Sequence, residues 1–324
     1  MSTGDGAAAQ PQPLHPHDSD ALVQRARPKS REIYWRALLH DKLALISAIF
    51  LIVLVLSAIF APVVAPHDPE EGGLSTRNDP PMTESADGIP YVLGTDALGR
   101  DQLSRLIYGA RISLAVGFLS VVISGTIGVL LGLMAGYYRG IVDDIIMRLV
   151  DLQMGFPSLL MALLVLYVLG SGVWNIIFVL AVTRWMVYAR ITRSLVLSHR
   201  ESLFVESARS LGCSDRRVLF LHILPNLLSP IMVLATLEFA TMILTEASLS
   251  FLGLGIQPPQ SSWGLMLAQG RSYVTSAWWL VTFPGLLILL TALSLNLLAT
   301  WVRAVTDPVT RWRYVAPRKK PASS

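Results

Sequence analysis

Charge is scarce in this chain. Asp, Glu, Lys and Arg together make up 15% of its 324 residues, against roughly a quarter in an ordinary soluble domain. Hydrophobic residues make up 53% and the mean hydropathy is +0.54, which excludes the soluble globular class and puts a membrane protein first. Lysine is nearly missing. Lys29, Lys42, Lys319 and Lys320 are the whole set, and none of them completes the G-x-x-x-x-G-K loop that cradles nucleotide phosphates. HExxH helices and GxSxG elbows are also absent, so neither a zinc peptidase nor a serine hydrolase is legible here. A single cysteine, Cys213, excludes an internal disulfide and a thiolate metal framework. The six histidines are scattered, and the closest pair, His15 and His17, lies in the N-terminal tail. The chain is therefore expected to hold no cofactor and to catalyse no reaction itself.

What it has instead is long apolar runs. A helix of about 20 apolar residues crosses about 30 Å of hydrocarbon, and the uncharged stretches predict six spans, at about 43–65, 112–138, 151–169, 173–192, 226–255 and 276–302. Gly170-Ser171-Gly172 divides the third from the fourth. Residues 1–34, rich in Ala, Pro, Gln and His, have no periodic apolar face and are expected to be disordered. Residues 309–324 form a basic tail. Six spans put both termini on one side, and 21 of the 26 Lys and Arg fall on that side. The positive-inside rule then makes both termini cytoplasmic. Placed this way, the excess of basic residues needs no nucleic-acid partner.

Several residues within the spans invite a structural and a functional reading. Ser124, Gly128, Gly132 and Gly136 line one helix face, either as a seam for another backbone or because glycine is common in membrane helices. Pro157, Pro230 and Pro284 predict kinks in spans three, five and six. Arg184 and Glu238 both fall near mid-depth, where a lone charge is costly. They either pair with each other or line a translocation path and meet the charged ends of a solute. Glu246, further along the fifth span, would gate or be solvated. Asp144, Arg148 and Asp151 follow i, i+4, i+7 and read either as a local ion-pair ladder or as a contact to the neighbouring loop.

Between spans four and five lies the longest charged segment bounded by apolar runs. Its core is Glu206 to Pro225, ESARSLGCSDRRVLFLHILP. Glu201–Leu211 can form about three helical turns with Phe204, Ala208 and Leu211 on one face, and with Glu206 and Arg209 supporting each other at i, i+3. Gly212 is suited to end that helix in a left-handed C′ conformation. Ser214 can cap the next helix, with Asp215 at its first position. Pro225 should break the loop from the fifth span. Read alone, this is an amphipathic interfacial hairpin. Its spacing resembles the EAA loop of ABC importer permeases, in which Glu-Ala-Ala is followed after three residues by Gly, after nine more by Ile, and then by Leu-Pro one residue on. Glu206, Ala208, Gly212, Leu224 and Pro225 fall in register, with Ser207 and His222 as departures. The resemblance implies a type I ABC importer permease fold, all α-helical, and makes Glu206, Ser207, Ala208, Gly212, Leu224 and Pro225 the residues that couple to an ATPase.

Two further stretches resemble the C-type subunit of the dipeptide, oligopeptide and nickel permeases: LGTDALGRDQLSRLIYGARISL (93–114) and TEASLSFLGLGIQPPQSSWG (245–264). That resemblance covers about residues 35–307, and the six-helix permease domain is expected over 35–308. It implies a bacterial inner-membrane subunit working with a second, homologous permease, two ATPases that carry ATP and Mg, an extracytoplasmic binding protein and a peptide solute. The external segment, 66–111, rich in Pro, Gly and Asp, is expected to be mostly loop, with Asp101 and Arg105 steadying a short surface helix. It would be a cover over the pore or, through Asp96, Arg100 and Asp101, a dock for the binding protein. A proton-driven carrier using Glu238 and Glu246 is the rival from another class. Nickel or haem are alternative solutes.

Overall fold

A computed structural model describes residues 37–85 and 88–306, so the two predicted tails lie outside the described residues. Among the described residues the regular structure is helical apart from a two-stranded ribbon, β1 (Thr83–Glu84) paired antiparallel with β2 (Pro90–Tyr91). Helix α1 (Lys42–Ile59) begins where the Asp41 carboxylate accepts the backbone N–H groups of Leu43 and Ala44, both at 3.1 Å, satisfying two donors that the first turn leaves free. It buries Ala44, Ser47, Leu54 and Ala58 on one stripe and leaves Ile46, Val53 and Leu56 exposed, a surface suited to lipid.

Helix α2 (Gln102–Tyr138) runs unbroken for 37 residues. The sequence suggested a short surface helix followed by a span starting at Ile112, but the two are one element. Arg105 and Arg111 end the apolar run without ending the helix, because no proline interrupts residues 102–138 and charge does not oppose helical backbone. Asp101 does not pair with Arg105. Its carboxylate caps α2 through the Ser104 N–H (2.7 Å) and hydroxyl (2.6 Å).

The predicted third span is also corrected. Helices α3 (Gly140–Met154) and α4 (Ser158–Leu169) meet at 89°. Proline lacks a backbone N–H and biases the residue before it away from helix, so Gly155-Phe156-Pro157 forms a corner and no straight helix runs over 151–169. Next come α5 (Val173–Arg200), α6 (Leu203–Ser210), α7 (Leu224–Phe251), α8 (Trp263–Gly270) and α9 (Trp279–Thr306). Among the described residues five helical runs are long and apolar enough to cross a membrane, and the bent α3–α4 pair, taken as one span, makes a sixth. Pro230 and Pro284 sit inside α7 and α9, which continue through them.

The glycine face of α2 is a seam, and its partner is α5 of the same chain. A Cβ on Gly128 would lie 2.2 Å from the Trp185 carbonyl oxygen, one on Gly132 2.5 Å from that of Ala189, and one on Gly136 2.7 Å from Val196 Cβ. The two backbones approach as closely as they do because nothing stands between them.

At one end of the bundle lies a cap built from residues 66–85, 88–101 and α8. At the other lies a hairpin built from α6 and the start of the next helical run. Trp263 is fully buried and donates its indole N–H to the Leu106 carbonyl at 3.1 Å. Trp279 donates likewise to Thr95 at 3.1 Å. These bonds tie the cap to the helices below it.

Candidate functional site

The hairpin is set by local chemistry. Helix α6 ends where Gly212 adopts φ +81°. Its N–H bonds the Arg209 carbonyl at 2.9 Å, and the Cys213 N–H bonds that of Ala208 at 3.1 Å, the paired arrangement that closes a helix on a left-handed residue. Asp215–Arg217 then makes one turn with Ser214 at its N-cap position, where the Ser214 side chain makes no capping bond. From there the chain does not break at Pro225. Val218–Ile223 forms a π-helical turn that runs directly into α7. Proline removes one helix donor and crowds the carbonyl four residues earlier, here Leu221, and the chain is widened at that point, where the Leu224 N–H bonds the Leu219 carbonyl five residues back. The result is one helical run, Asp215–Phe251.

The face that α6 buries differs from the expected one. Val205 and Ala208 are buried against Leu133, Val196, Val218 and Ile223, whereas Phe204 and Leu211 are exposed. Ala208 is therefore small so that α6 can lie on its own bundle. The outward face carries Leu203 (81% exposed), Glu206, Ser207, Ser210 and Leu211 (84%). Glu206 and Arg209 do not support each other: the Arg209 guanidinium lies 4.9 Å from the centre of the Tyr137 ring, and Glu206 makes no ion pair among the described residues. The Tyr137 hydroxyl donates to Asp215 Oδ1 at 2.6 Å. No sequence pattern singled out Tyr137, which reads as the last residue but one of an apolar run.

Mid-bundle, Arg184 and Glu238 form a bidentate pair, Nε to Oε2 at 2.8 Å and Nη2 to Oε1 at 3.0 Å, which satisfies both charges with fork geometry. A cavity of about 650 Å³ opens near His199 and Arg303 and reaches Leu237, the residue before Glu238. The Tyr188 hydroxyl is buried without a hydrogen-bond partner among the described residues. Glu246 is neither solvated nor open to a gate surface. It is fully buried and accepts from Ser113 Oγ (3.2 Å) and Ser250 Oγ (2.8 Å). The expected ladder Asp144–Arg148–Asp151 is absent among the described residues. Asp151 pairs with Arg190, and Asp143 with Arg193, so the ion pairs cross from α3 to α5 rather than running along α3.

The cap residues proposed as a dock face inward. Asp96 and Asp101 are 5% and 1% exposed. Asp96 Oδ1 accepts the backbone N–H groups of Leu98 (2.8 Å) and Arg100 (2.9 Å). Its Oδ2 accepts Arg100 Nε (2.8 Å) and Arg105 Nη1, and Arg105 Nη2 donates to Gln269 of α8 at 3.0 Å. Burial pushes the Asp96 carboxyl up, but the charges and hydrogen bonds of Arg105 and Arg100 outweigh it and hold it below the usual carboxylate range. The surface that this cluster supports carries the exposed Leu74, Met82 and Leu98. Stretches 93–114 and 245–264, far apart in sequence, thus meet through Ser113–Glu246 and Trp263–Leu106.

A polytopic helical subunit with a charged hairpin at one end and a buried ion pair at mid-depth is the form of a transport permease. The profile of binding-protein-dependent transport system inner membrane components matches residues 128–312, more than half the chain, and the chain belongs to that family. Residues 31–81 match the N-terminal transmembrane domain of oligopeptide transport permease C. Among curated relatives, the di/tripeptide transport system permease protein DppC of Pseudomonas aeruginosa is 43% identical over 87% of this chain and 93% of its own length. The glutathione transport system permease protein GsiD of Escherichia coli is 42% identical over 85% of this chain and 89% of its own. A solved chain of the methionine ABC transporter MetNI, in inward-facing conformations, aligns with 63% of this chain and 97% of its own at 18% identity, with a TM-score of 0.49. Family membership and the helical runs described above make the chain a multi-pass inner-membrane permease subunit with the type I ABC importer fold. Subunits of this family work with further permease, ATPase and binding-protein chains.

Proposed function

We propose that this chain carries di- and tripeptides, or peptides of similar size, across the cytoplasmic membrane, sharing the path with a second, non-identical permease. Both termini and the α6 hairpin lie in the cytoplasm, and the cap faces outward. The hairpin seats on an ATPase subunit that supplies ATP and Mg, and a binding protein delivers solute at the cap, on the surface around Leu74, Met82 and Leu98. The observation that carries this reading is the outward face of α6. Leu203 and Leu211 are more than four-fifths exposed around Glu206, which makes no ion pair among the described residues, on a hairpin whose other face is buried. An apolar rim around a free carboxylate suits a protein groove that offers a basic or N–H donor. Names of the relatives support a peptide solute. Family membership sets aside a proton-driven carrier, and Glu238 is already committed to Arg184.

The test is to purify the tagged chain in mild detergent, identify its companions, and reconstitute them. Two ATPase chains, a second permease and peptide-stimulated ATP hydrolysis are expected. Glu206→Lys should insert normally but lose ATPase association and uptake. Undiminished uptake by that variant refutes the coupling role, and uptake by the purified single chain under a pH gradient refutes the ATP-driven scheme.

A further inference from the structure

The hairpin is covalently joined to α5 through Glu201-Ser202 and to α7 through the π turn. Helix α2 has no such link. It leaves this end of the bundle through Arg139 into α3. For α2 to follow a displacement of the hairpin, side chains must hold it there. Tyr137 makes that connection from the last turn of α2. Its ring is 3% exposed, its hydroxyl bonds Asp215 on the return limb, and the guanidinium of Arg209, on α6, faces the ring at 4.9 Å, with that of Arg200, at the end of α5, at 5.9 Å. One side chain thereby touches both limbs of the hairpin and the end of the helix that feeds it. The other polar link, Arg139 to Glu201 at 2.7 Å, joins two exposed side chains, and such pairs hold weakly.

Resting on the coupling role given to the hairpin above, we propose that Tyr137 is a positioning residue that makes α2 move with the hairpin when the ATPases close. The bond to Asp215 is charge-assisted and directional, and cation–ring attraction tolerates small rotations, so the contact can transmit a push without fixing a single angle. The neighbouring apolar contacts of Leu133 with Val205 and Val218 seat the hairpin, but they carry no directional bond.

Hydrogen exchange in the whole complex tests this, comparing the nucleotide-free state with the state trapped by ATP and vanadate. In the unmodified complex, trapping is expected to change amide exchange at residues 203–215 and also at 128–138. In Tyr137→Phe the ring remains and only the hydroxyl is lost. There the change at 203–215 should persist, while the change at 128–138 shrinks about tenfold or more, the factor expected for losing a hydrogen bond to a charged group. Asp215→Asn should act in the same direction, and the double variant should be no worse than the more severe single one. Equal changes at 128–138 in Tyr137→Phe and the unmodified complex overturn the role of Tyr137 while leaving the coupling role of the hairpin standing. No change at 203–215 in the unmodified complex overturns both.

Discussion

The seam between α2 and α5 gives a prediction whose sign can be worked out from geometry. In Gly128→Ala the new methyl carbon would lie 2.2 Å from the Trp185 carbonyl oxygen and 2.6 Å from Tyr188 Cβ. The first obstacle is backbone and cannot rotate away, so the helices must part by about an ångström to restore ordinary contact. Overpacking of this kind costs about 1–3 kcal/mol. Against it stands the intrinsic preference of helix for Ala over Gly, worth about 1 kcal/mol. The net expectation is a loss of up to about 2 kcal/mol. Gly285→Ala, in α9, is the matched control: its nearest neighbour would be Leu267 Cδ2 at 3.9 Å, so only the propensity gain of up to about 1 kcal/mol applies. Thermal unfolding of the purified variants in one detergent, followed by tryptophan fluorescence, should move the two midpoints in opposite directions. Gly136→Ala, whose closest approach is the longer 2.7 Å to a side chain, should fall between them. Midpoints that shift together in Gly128→Ala and Gly285→Ala refute the seam.

Three other outcomes follow from the site. Arg184→Ala and Glu238→Gln should each destabilise the chain by about 3 kcal/mol, because removing one partner leaves a poorly solvated charge or its donors unpaired, and the charge-exchanged double variant should recover part of that loss in yield and unfolding midpoint. The Asp96 carboxyl is held below its ordinary range in the folded chain, so its contribution is present above the unfolded value near about 3.9 and is lost as pH falls through the lower folded value. Cap unfolding followed by limited proteolysis should steepen in that acid window, and Asp96→Asn should start weaker and lose the dependence. Val205→Asp should collapse the hairpin because it buries an unpaired charge, whereas Phe204→Asp should leave folding intact, as measured by protease resistance at residues 203–217.

Features written in local spacing could be read from the sequence. The glycine row of α2 gave its seam, Gly212 gave the helix stop, and Arg184 with Glu238 gave a pair once their depths were compared. Partners that lie across helices could not be read. Asp144, Arg148 and Asp151 look like an i, i+4, i+7 ladder in one dimension, yet α5 runs alongside α3 and offers Arg190 to Asp151 and Arg193 to Asp143. In α6, eight residues are too few for periodicity to separate a stripe through Phe204 from one through Val205, and packing on α2 decides between them. Pro225 reads as a break because single-residue preferences do not anticipate a π turn. Asp96, Asp101 and Glu246 read as exposed because carboxylates usually are, and only the converging donors of two distant stretches reveal that they are interior.

Helix α2 is capped by Asp101 beside the Asp96 cluster and ends at Tyr137 beside the hairpin, a reach of about 55 Å at 1.5 Å per residue. The opposite faces of the molecule are thus the two tips of a single rod, with α5 bonded along its side. On the proposed function, solute arriving at one face and ATP-driven closure at the other act on the two ends of this one continuous element, so any timed interval between them falls to the other chains of the assembly.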